Sequence, residues 1–195
     1  MTSTKPFQSS LFTQTLVLVT GHPAVGKTTF ARQLALCAAL PLFSKDDFKE
    51  LGFDLLGVKS RDESRMLGCL ATKCLRYCAA QVLSAKGGVV LESNFQPGPA
   101  KEEIGALCLE LGARVLEVNL HATKDVCRKR FLNRGQSQER HSGHADVDFS
   151  ELEARMTADP KGIVGLGTLI AVDTSDFTNV NFEDVWLAIL AALER

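Results

Sequence analysis

The apolar residues of this chain fall into short unbroken runs separated by longer amphipathic stretches. Leu16 to Val19 is one such run, continuous rather than alternating, as expected of a parallel strand buried on both faces. From about Lys27 to Ala39 the apolar positions recur at helical spacing, and the pattern stops before Pro41, because proline disfavours helix in the residue ahead of it. Pro41–Phe43 reads as a short strand. Ser44-Lys-Asp-Asp47 and Ser60-Arg-Asp-Glu63 both have the form of a capping box, and each opens a helix. The second helix extends to about Ser84, with Leu67, Leu70, Cys74, Leu75, Cys78 and Val82 expected on one face, and Gly87-Gly88 end it.

The second half repeats the alternation. Val89–Leu91 is a fully apolar strand; Pro97 and Pro99 punctuate a turn; a helix fills about Ala100–Leu111. Arg114–Leu120 reads as a strand, and Thr123–Arg134 as a basic helix closed by Gly135. Gln136–Asp148 is polar and irregular, and Ser150-Glu-Leu-Glu153 caps a short helix. Thr168–Val172 is the last strand and about Phe182–Leu193 the last helix. Five strands alternating with helices predict a three-layer α/β fold with a five-stranded parallel sheet. At 195 residues and without internal repeats, one domain is expected.

Composition narrows the partners. A net charge of −1 gives no global pull toward nucleic acid or an anionic membrane, so nucleic acid is not the expected partner. No apolar run reaches the ~20 residues that cross a bilayer. MTSTKPFQSS lacks the apolar core of a signal peptide, so a cytoplasmic location is expected, with disorder confined to the first dozen residues. The six cysteines (37, 69, 74, 78, 108 and 127) form no C-x-x-C pair, and in a reducing compartment they read as small buried hydrophobes.

The chemistry is most legible at residues 15–30, TLVLVTGHPAVGKTTF. Gly21-His-Pro-Ala-Val-Gly26-Lys27-Thr28 fits G-x-x-x-x-G-K-[ST], with a strand before it and a helix after it. Glycines let successive N–H groups point inward at phosphate oxygens, and the start of the helix adds its positive end. Lys27 is placed to lie between the β- and γ-phosphates, and the Thr28 hydroxyl to ligate Mg²⁺. The expected nucleotide-binding set is Gly21, His22, Pro23, Ala24, Val25, Gly26, Lys27, Thr28 and Thr29. No N-K-x-D segment is present to read guanine, so ATP is the expected donor, with Asp173 and Thr174 lining its base through backbone groups.

Sites in such sheets lie at the carboxyl ends of strands. After the second strand come Asp46 and Asp47. Asp47, three residues beyond Ser44, suits the capping role and leaves Asp46 as the base for an attacking hydroxyl. After the third comes Glu92, the expected second Mg²⁺ anchor, and Asn94, which either donates to substrate or shapes the turn. Arg130 and Arg134 share a helix face and are candidates, with Arg140 beyond them, to close over the triphosphate from a lid at about residues 128–148. Arg65 stands either to hold an anionic acceptor or as an ordinary surface arginine. His141 and His144 have no third partner and read as lid residues rather than metal ligands.

GHPAVGKTTFARQLA, LFSKDDFKELGFDLLG, VVLESNF, RKRFLNRG, RHSGH and VDTS occur in an order that resembles the small P-loop kinases, the class of chloramphenicol phosphotransferase, gluconate kinase and shikimate kinase. The pattern is most similar to the AAA-type, zeta-toxin-like kinases of bacteria. The resemblance implies ATP- and Mg²⁺-dependent transfer of a phosphoryl group to the hydroxyl of a small molecule, with Lys27 and Thr28 on phosphate and metal, Asp46 as base and Arg130 or Arg134 in the lid. One residue departs from it: shikimate and gluconate kinases carry an acid two positions before the base, where this chain has Ser44. The rival readings are a kinase acting on nucleic acid or a nucleotide sugar, and a nucleotide-hydrolysing switch without an acceptor.

Overall fold

The structure is a computed structural model and describes residues 9–57, 60–136, 141, 149–159 and 162–194. Five parallel strands form one sheet in the order β2-β3-β1-β4-β5. They are β1 (Thr15–Thr20), β2 (Leu42–Ser44), β3 (Val89–Glu92), β4 (Arg114–His121) and β5 (Thr168–Asp173). The helices are α1 (Lys27–Ala38), α2 (Lys45–Leu56), α3 (Arg61–Ser84), α4 (Pro97–Leu111), α5 (Lys124–Gln136), α6 (Phe149–Ala158) and α7 (Phe182–Leu193). The predicted five-stranded α/β architecture is the observed one.

The central strand explains the sheet. All six residues of β1 are buried. Val17 and Val19 enter a core with Phe30 and Leu34 of α1 and Ile189 and Leu193 of α7. Leu16 and Leu18 enter a second core with Leu75, Ala79 and Leu83 of α3 and Ile104 and Leu107 of α4. Alternate side chains serve opposite faces, so a strand covered on both sides must be apolar throughout. Chain direction across the sheet diverges at β1, which puts the carboxyl end of this strand at the crevice where such folds bind ligands.

Several local expectations are corrected. Phe12, within the first dozen residues, is fully buried and stacks on Trp186 of α7, 6.0 Å between centroids. Helix α3 buries Leu67, Ala71, Leu75, Ala79 and Leu83, an i,i+4 stripe with small residues that let the helix approach the sheet. Leu70, Cys74, Cys78 and Val82 lie off that stripe, and Leu70 is exposed. Helix α4 starts at Pro97, since proline fits the first helical turn. Helix α5 runs through Gly135 rather than stopping there, and α6 begins at Phe149, so Ser150 is inside it and not its cap. Only Cys108 and Cys127 are buried; Cys37 and Cys69 are exposed.

The face of β4 that packs toward α3 and α4 through Val115 also carries polar residues. Glu117 and Asn119 point to that side, both buried, and the 162–167 loop lies over them. The Glu117 carboxylate accepts from the backbone N–H groups of Val164 (2.6 Å), Gly165 (2.8 Å) and Leu166 (3.1 Å). Asn119 Nδ2 donates to the Gly162 carbonyl at 3.1 Å. Backbone donors withdrawn from water need partners, and here a sheet side chain supplies them.

Candidate active site

The loop from Gly21 to Gly26 leaves β1 and wraps onto the first turn of α1. Gly21 (φ 132°) and Gly26 (φ 91°) are left-handed, and Ala24 (φ 68°) joins them. A Cβ at Gly21 would overlap the Leu120 carbonyl of β4, and one at Gly26 would overlap the Phe177 ring. Both positions therefore require glycine on packing as well as on φ. Thr174, fully buried at the end of β5, donates from Oγ1 to the Val25 carbonyl (2.8 Å) and braces the loop from outside.

Lys27 is buried, and its Nζ donates to the His22 carbonyl at 2.9 Å, which places the ammonium inside the loop. Burial pulls its pKa below the ordinary lysine value, and the charges of Glu92 and Asp46 push it back up. His22 is turned outward: its Nε2–H donates to the Asp159 carbonyl of the segment after α6 at 2.6 Å. Thr28 is half-buried and Thr29 exposed at the head of α1.

Glu92, at the end of β3, is buried beside this loop. Its Oε2 accepts from the Ser44 hydroxyl at 2.7 Å and lies 3.5 Å from Thr28 Oγ1. Burial raises its pKa, opposed by Lys27 and by the Ser44 hydrogen bond, while Asp46 and Asp47 reinforce the rise. Ser44 occupies the N-cap position of α2 but makes no side-chain cap bond. The capping-box expectation for Ser44-Asp47 is thus wrong at its first residue: a buried carboxylate out-competes a helix N–H for the hydroxyl, because leaving it unpaired costs more. At Ser60 the same motif does cap, with Glu63 N donating to Ser60 Oγ at 3.2 Å. Asp46 and Asp47 are both exposed in the first turn of α2, and only Asp46 is near enough to act on Lys27 as well as on Glu92.

Among the described residues no group of three His, Cys, Asp or Glu side chains could by itself hold a metal ion. The Ser44 and Thr28 hydroxyls and the Glu92 carboxylate do converge here, hard oxygen donors of the kind that hold Mg²⁺ together with phosphate oxygens. The residues present fit such an ion on those terms.

The two candidate arginines of α5, Arg130 and Arg134, separate. Arg134 is exposed, and its charge reaches Lys27. Arg130 is turned away: Nη2 donates to the Thr174 carbonyl (2.7 Å) and approaches that of Ser175 (3.4 Å), and its guanidinium lies 4.4 Å over the Phe177 ring. A cleft of about 210 Å³ opens beside Gly21–Pro23. Asn94, Phe95, Pro97, Arg155 and Asp159 are among the residues that complete it. Arg65 does not line it; that arginine is exposed and pairs with Asp62 at 3.4 Å. Arg140 lies outside the described residues, as do His144 and most of the expected lid.

Sequence reasoning missed Arg155, Phe177 and the Ser44–Glu92 pair. For Phe177 a signal existed, an aromatic two residues after the VDTS segment. Arg155 sits in an ordinary amphipathic helix and carried none.

A model of the AAA domain family matches residues 16–158. The chain belongs to this family of AAA domains. A candidate kinase from Chloroflexus aurantiacus is 32% identical, covers 91% of this chain and 97% of its own, and superposes with a TM-score of 0.82. Kti12 from Chaetomium thermophilum, solved with ADP-AlF3, is 20% identical over 91% of this chain and 98% of its own, with a TM-score of 0.63. Shikimate kinase from Acinetobacter baumannii, solved with shikimate, is 16% identical over 93% and 96%, with a TM-score of 0.57. The last two share the fold alone. None of the curated proteins matches the chain. The expected likeness to small P-loop kinases is borne out. Among the described residues no helix of this AAA-domain protein is long and apolar enough to cross a membrane.

Proposed function

We propose that this protein is a kinase that moves the γ-phosphoryl group of a nucleoside triphosphate, ATP as first candidate, to a hydroxyl of a small molecule. The observation that carries the reading is the juxtaposition of the Lys27–Glu92–Asp46 charge cluster with a small cleft against the first residues of the same loop. A hydrolysing switch needs the first of these features and has no use for the second. The kinase description of the 32% identical protein agrees with it.

In this reading the N–H groups of residues 21–29, Pro23 excepted, and the Lys27 ammonium hold the phosphates. Thr28 and Glu92 hold Mg²⁺, which supplies charge neutralisation when bound. Asp46 takes the proton of the acceptor hydroxyl as its oxygen bonds to phosphorus; the bond to the β-phosphate oxygen breaks with its electron pair, leaving a nucleoside diphosphate. Arg134 adds positive charge at the transferring group. Asn94 and Arg155 face the acceptor in the cleft. Ser44, in the place of the acid found in shikimate and gluconate kinases, orients Glu92 rather than contacting the ion itself.

The test is a screen of hydroxyl-bearing metabolites and antibiotics with ATP and Mg²⁺, scored by a mass gain of one phosphate. Acceptor-dependent ADP formation that collapses in Asp46→Asn is the expected result. ADP release that needs no acceptor and is undiminished in Asp46→Asn would make the protein a nucleotide hydrolase instead.

A further inference from the structure

Between Gly21 and Lys27 the phosphate loop has one polar side chain, that of His22. Its ring is half-buried and leaves the loop toward the turn after α6. Nε2 lies 2.6 Å from the Asp159 carbonyl oxygen, and a carbonyl only accepts, so Nε2 carries the proton. The ring also lies against Gly162, where a Cβ would meet Nε2 at 3.4 Å. The turn itself is held from two sides. Asp159 Oδ1 accepts from Gly162 N at 3.0 Å, and the Gly162 carbonyl accepts from Asn119 Nδ2 at 3.1 Å. Glu117 takes the N–H groups of the residues that follow, 164–166. Side chains of β4 therefore fix the turn, and the turn in its place can fix the ring.

The main chain of the same residue faces the other way. The His22 carbonyl accepts from Lys27 Nζ at 2.9 Å. One residue thus joins the turn after α6, through its side chain, to the ammonium inside the loop, through its backbone. The loop has need of such an anchor. Gly21, Ala24 and Gly26 all have positive φ, and the side chains of Pro23, Ala24 and Val25 offer no hydrogen bond to hold it. Thr174 braces its far end at the Val25 carbonyl (2.8 Å), and His22 is the matching brace at the near end.

We propose that His22 is a positioning residue: its ring pins the phosphate-binding loop to the turn after α6 and so holds the loop N–H groups and the Lys27 ammonium in the arrangement that receives a triphosphate. The inference rests on the nucleotide-binding reading above. Donors fixed before the ligand arrives lose less freedom on binding, so a lost anchor is read as lost phosphate affinity. The imidazole acts through the loop and not on the phosphates. Asp159 and Gly162 also line the cleft, so the ring ties the cleft wall to the phosphate loop.

The experiment is calorimetric titration of the whole protein, with Mg²⁺, by two probes: inorganic tripolyphosphate and the non-hydrolysable imido analogue of ATP. His22→Phe keeps a ring and removes the donor; it should weaken both probes by about five- to ten-fold, the net contribution of one part-buried hydrogen bond. His22→Gln puts an uncharged amide N–H at about the reach of Nε2 and should stay within about two-fold of the parent. Thermal unfolding checks that each variant is folded, and His22→Ala replaces the phenylalanine variant if that one is not. The turn supplies a second measurement. Asp159→Ala and Asp159→Asn lose the same charge, but only asparagine keeps an acceptor for Gly162 N. The alanine variant should bind tripolyphosphate about three-fold more weakly than the asparagine variant, and the difference should vanish in the His22→Phe background. A folded His22→Phe that binds both probes as the parent does overturns the proposal, as does a His22→Gln that loses as much as His22→Phe. Parent protein that binds neither probe, or a folded Lys27→Ala variant that binds both as the parent does, overturns the nucleotide reading, and the proposal with it.

Discussion

Replacing Glu117 by glutamine tests whether a carboxylate, rather than any polar group of that shape, holds the loop behind the candidate acceptor cleft. The native side chain is fully buried and accepts three backbone hydrogen bonds. Carboxylate oxygens only accept, whereas glutamine brings one acceptor and one NH₂ donor. In Glu117→Gln that NH₂ must face at least one backbone N–H, so one contact turns repulsive and the others lose charge assistance. A hydrogen bond to a charged group contributes about 1.5–3 kcal/mol. The Val164 contact is buried, while exposed Gly165 lets water replace part of what is lost. The expected cost is therefore about 2 kcal/mol for glutamine and roughly 3–5 kcal/mol for Glu117→Ala. For a chain of this length each kcal/mol lowers Tm by about 2–4 °C. The glutamine variant should melt some 4–8 °C below the parent, and the alanine variant roughly 10 °C below or more. Thermal and urea unfolding followed by circular dichroism supply the measurement. Because Gly162 at the head of the same loop lines the cleft, amide exchange at residues 162–166 should also quicken. Equal stability of Glu117→Gln and parent in both unfolding series would refute the reasoning, since it would mean that the loop needs no acceptor-only partner.

Asp46→Asn should cut phosphoryl transfer by about 10²–10⁴ with little change in nucleotide affinity, whereas Asp47→Asn should leave turnover near the parent and cost stability by about 0.5 kcal/mol through the α2 helix dipole; a steady-state comparison separates them, and reversed effects would move the base to Asp47. Arg134→Ala should lower kcat with modest change in KM for the nucleotide, while Arg130→Ala, which removes a brace on Thr174 and the cover of Phe177, should raise KM; identical effects would deny the division of labour between them. Burial pushes the Cys108 thiol up to about 11, so in the native protein it should resist a thiol reagent at pH 8 that labels exposed Cys37 and Cys69, read by peptide mass spectrometry. Above pH 9 the unfolded thiol ionises while the folded one keeps its proton; stability should therefore fall as pH rises from 9 toward 11, by at most about 1.4 kcal/mol per unit, and Cys108→Ala should lack that part of the slope.

Features that a continuous stretch of chain settles are legible in the sequence by itself. The strand, glycine loop and helix from Thr15 to Ala38 form from neighbours in sequence, since the loop needs little more than two residues free to take positive φ and a helix start to receive it. The strand count and the parallel sheet followed in the same way from apolar runs too short for helices. Tertiary contact decided what local rules leave open. Ser44 has two partners within reach, its own helix and a carboxylate 48 positions along the chain, and the buried charge prevails. Arg130 and Arg134 look equivalent on one helix face until the loop after β5 supplies carbonyls 44 and 45 positions away to Arg130. Helix α3 has apolar residues on more than one side, and the sheet selects the stripe with alanines because close approach favours small side chains there. Glu117 looks misplaced in an apolar strand until the loop that lies over it presents three unpaired N–H groups. In each case the outcome depends on which distant group must be satisfied once water is excluded, and no window of neighbouring residues contains that information.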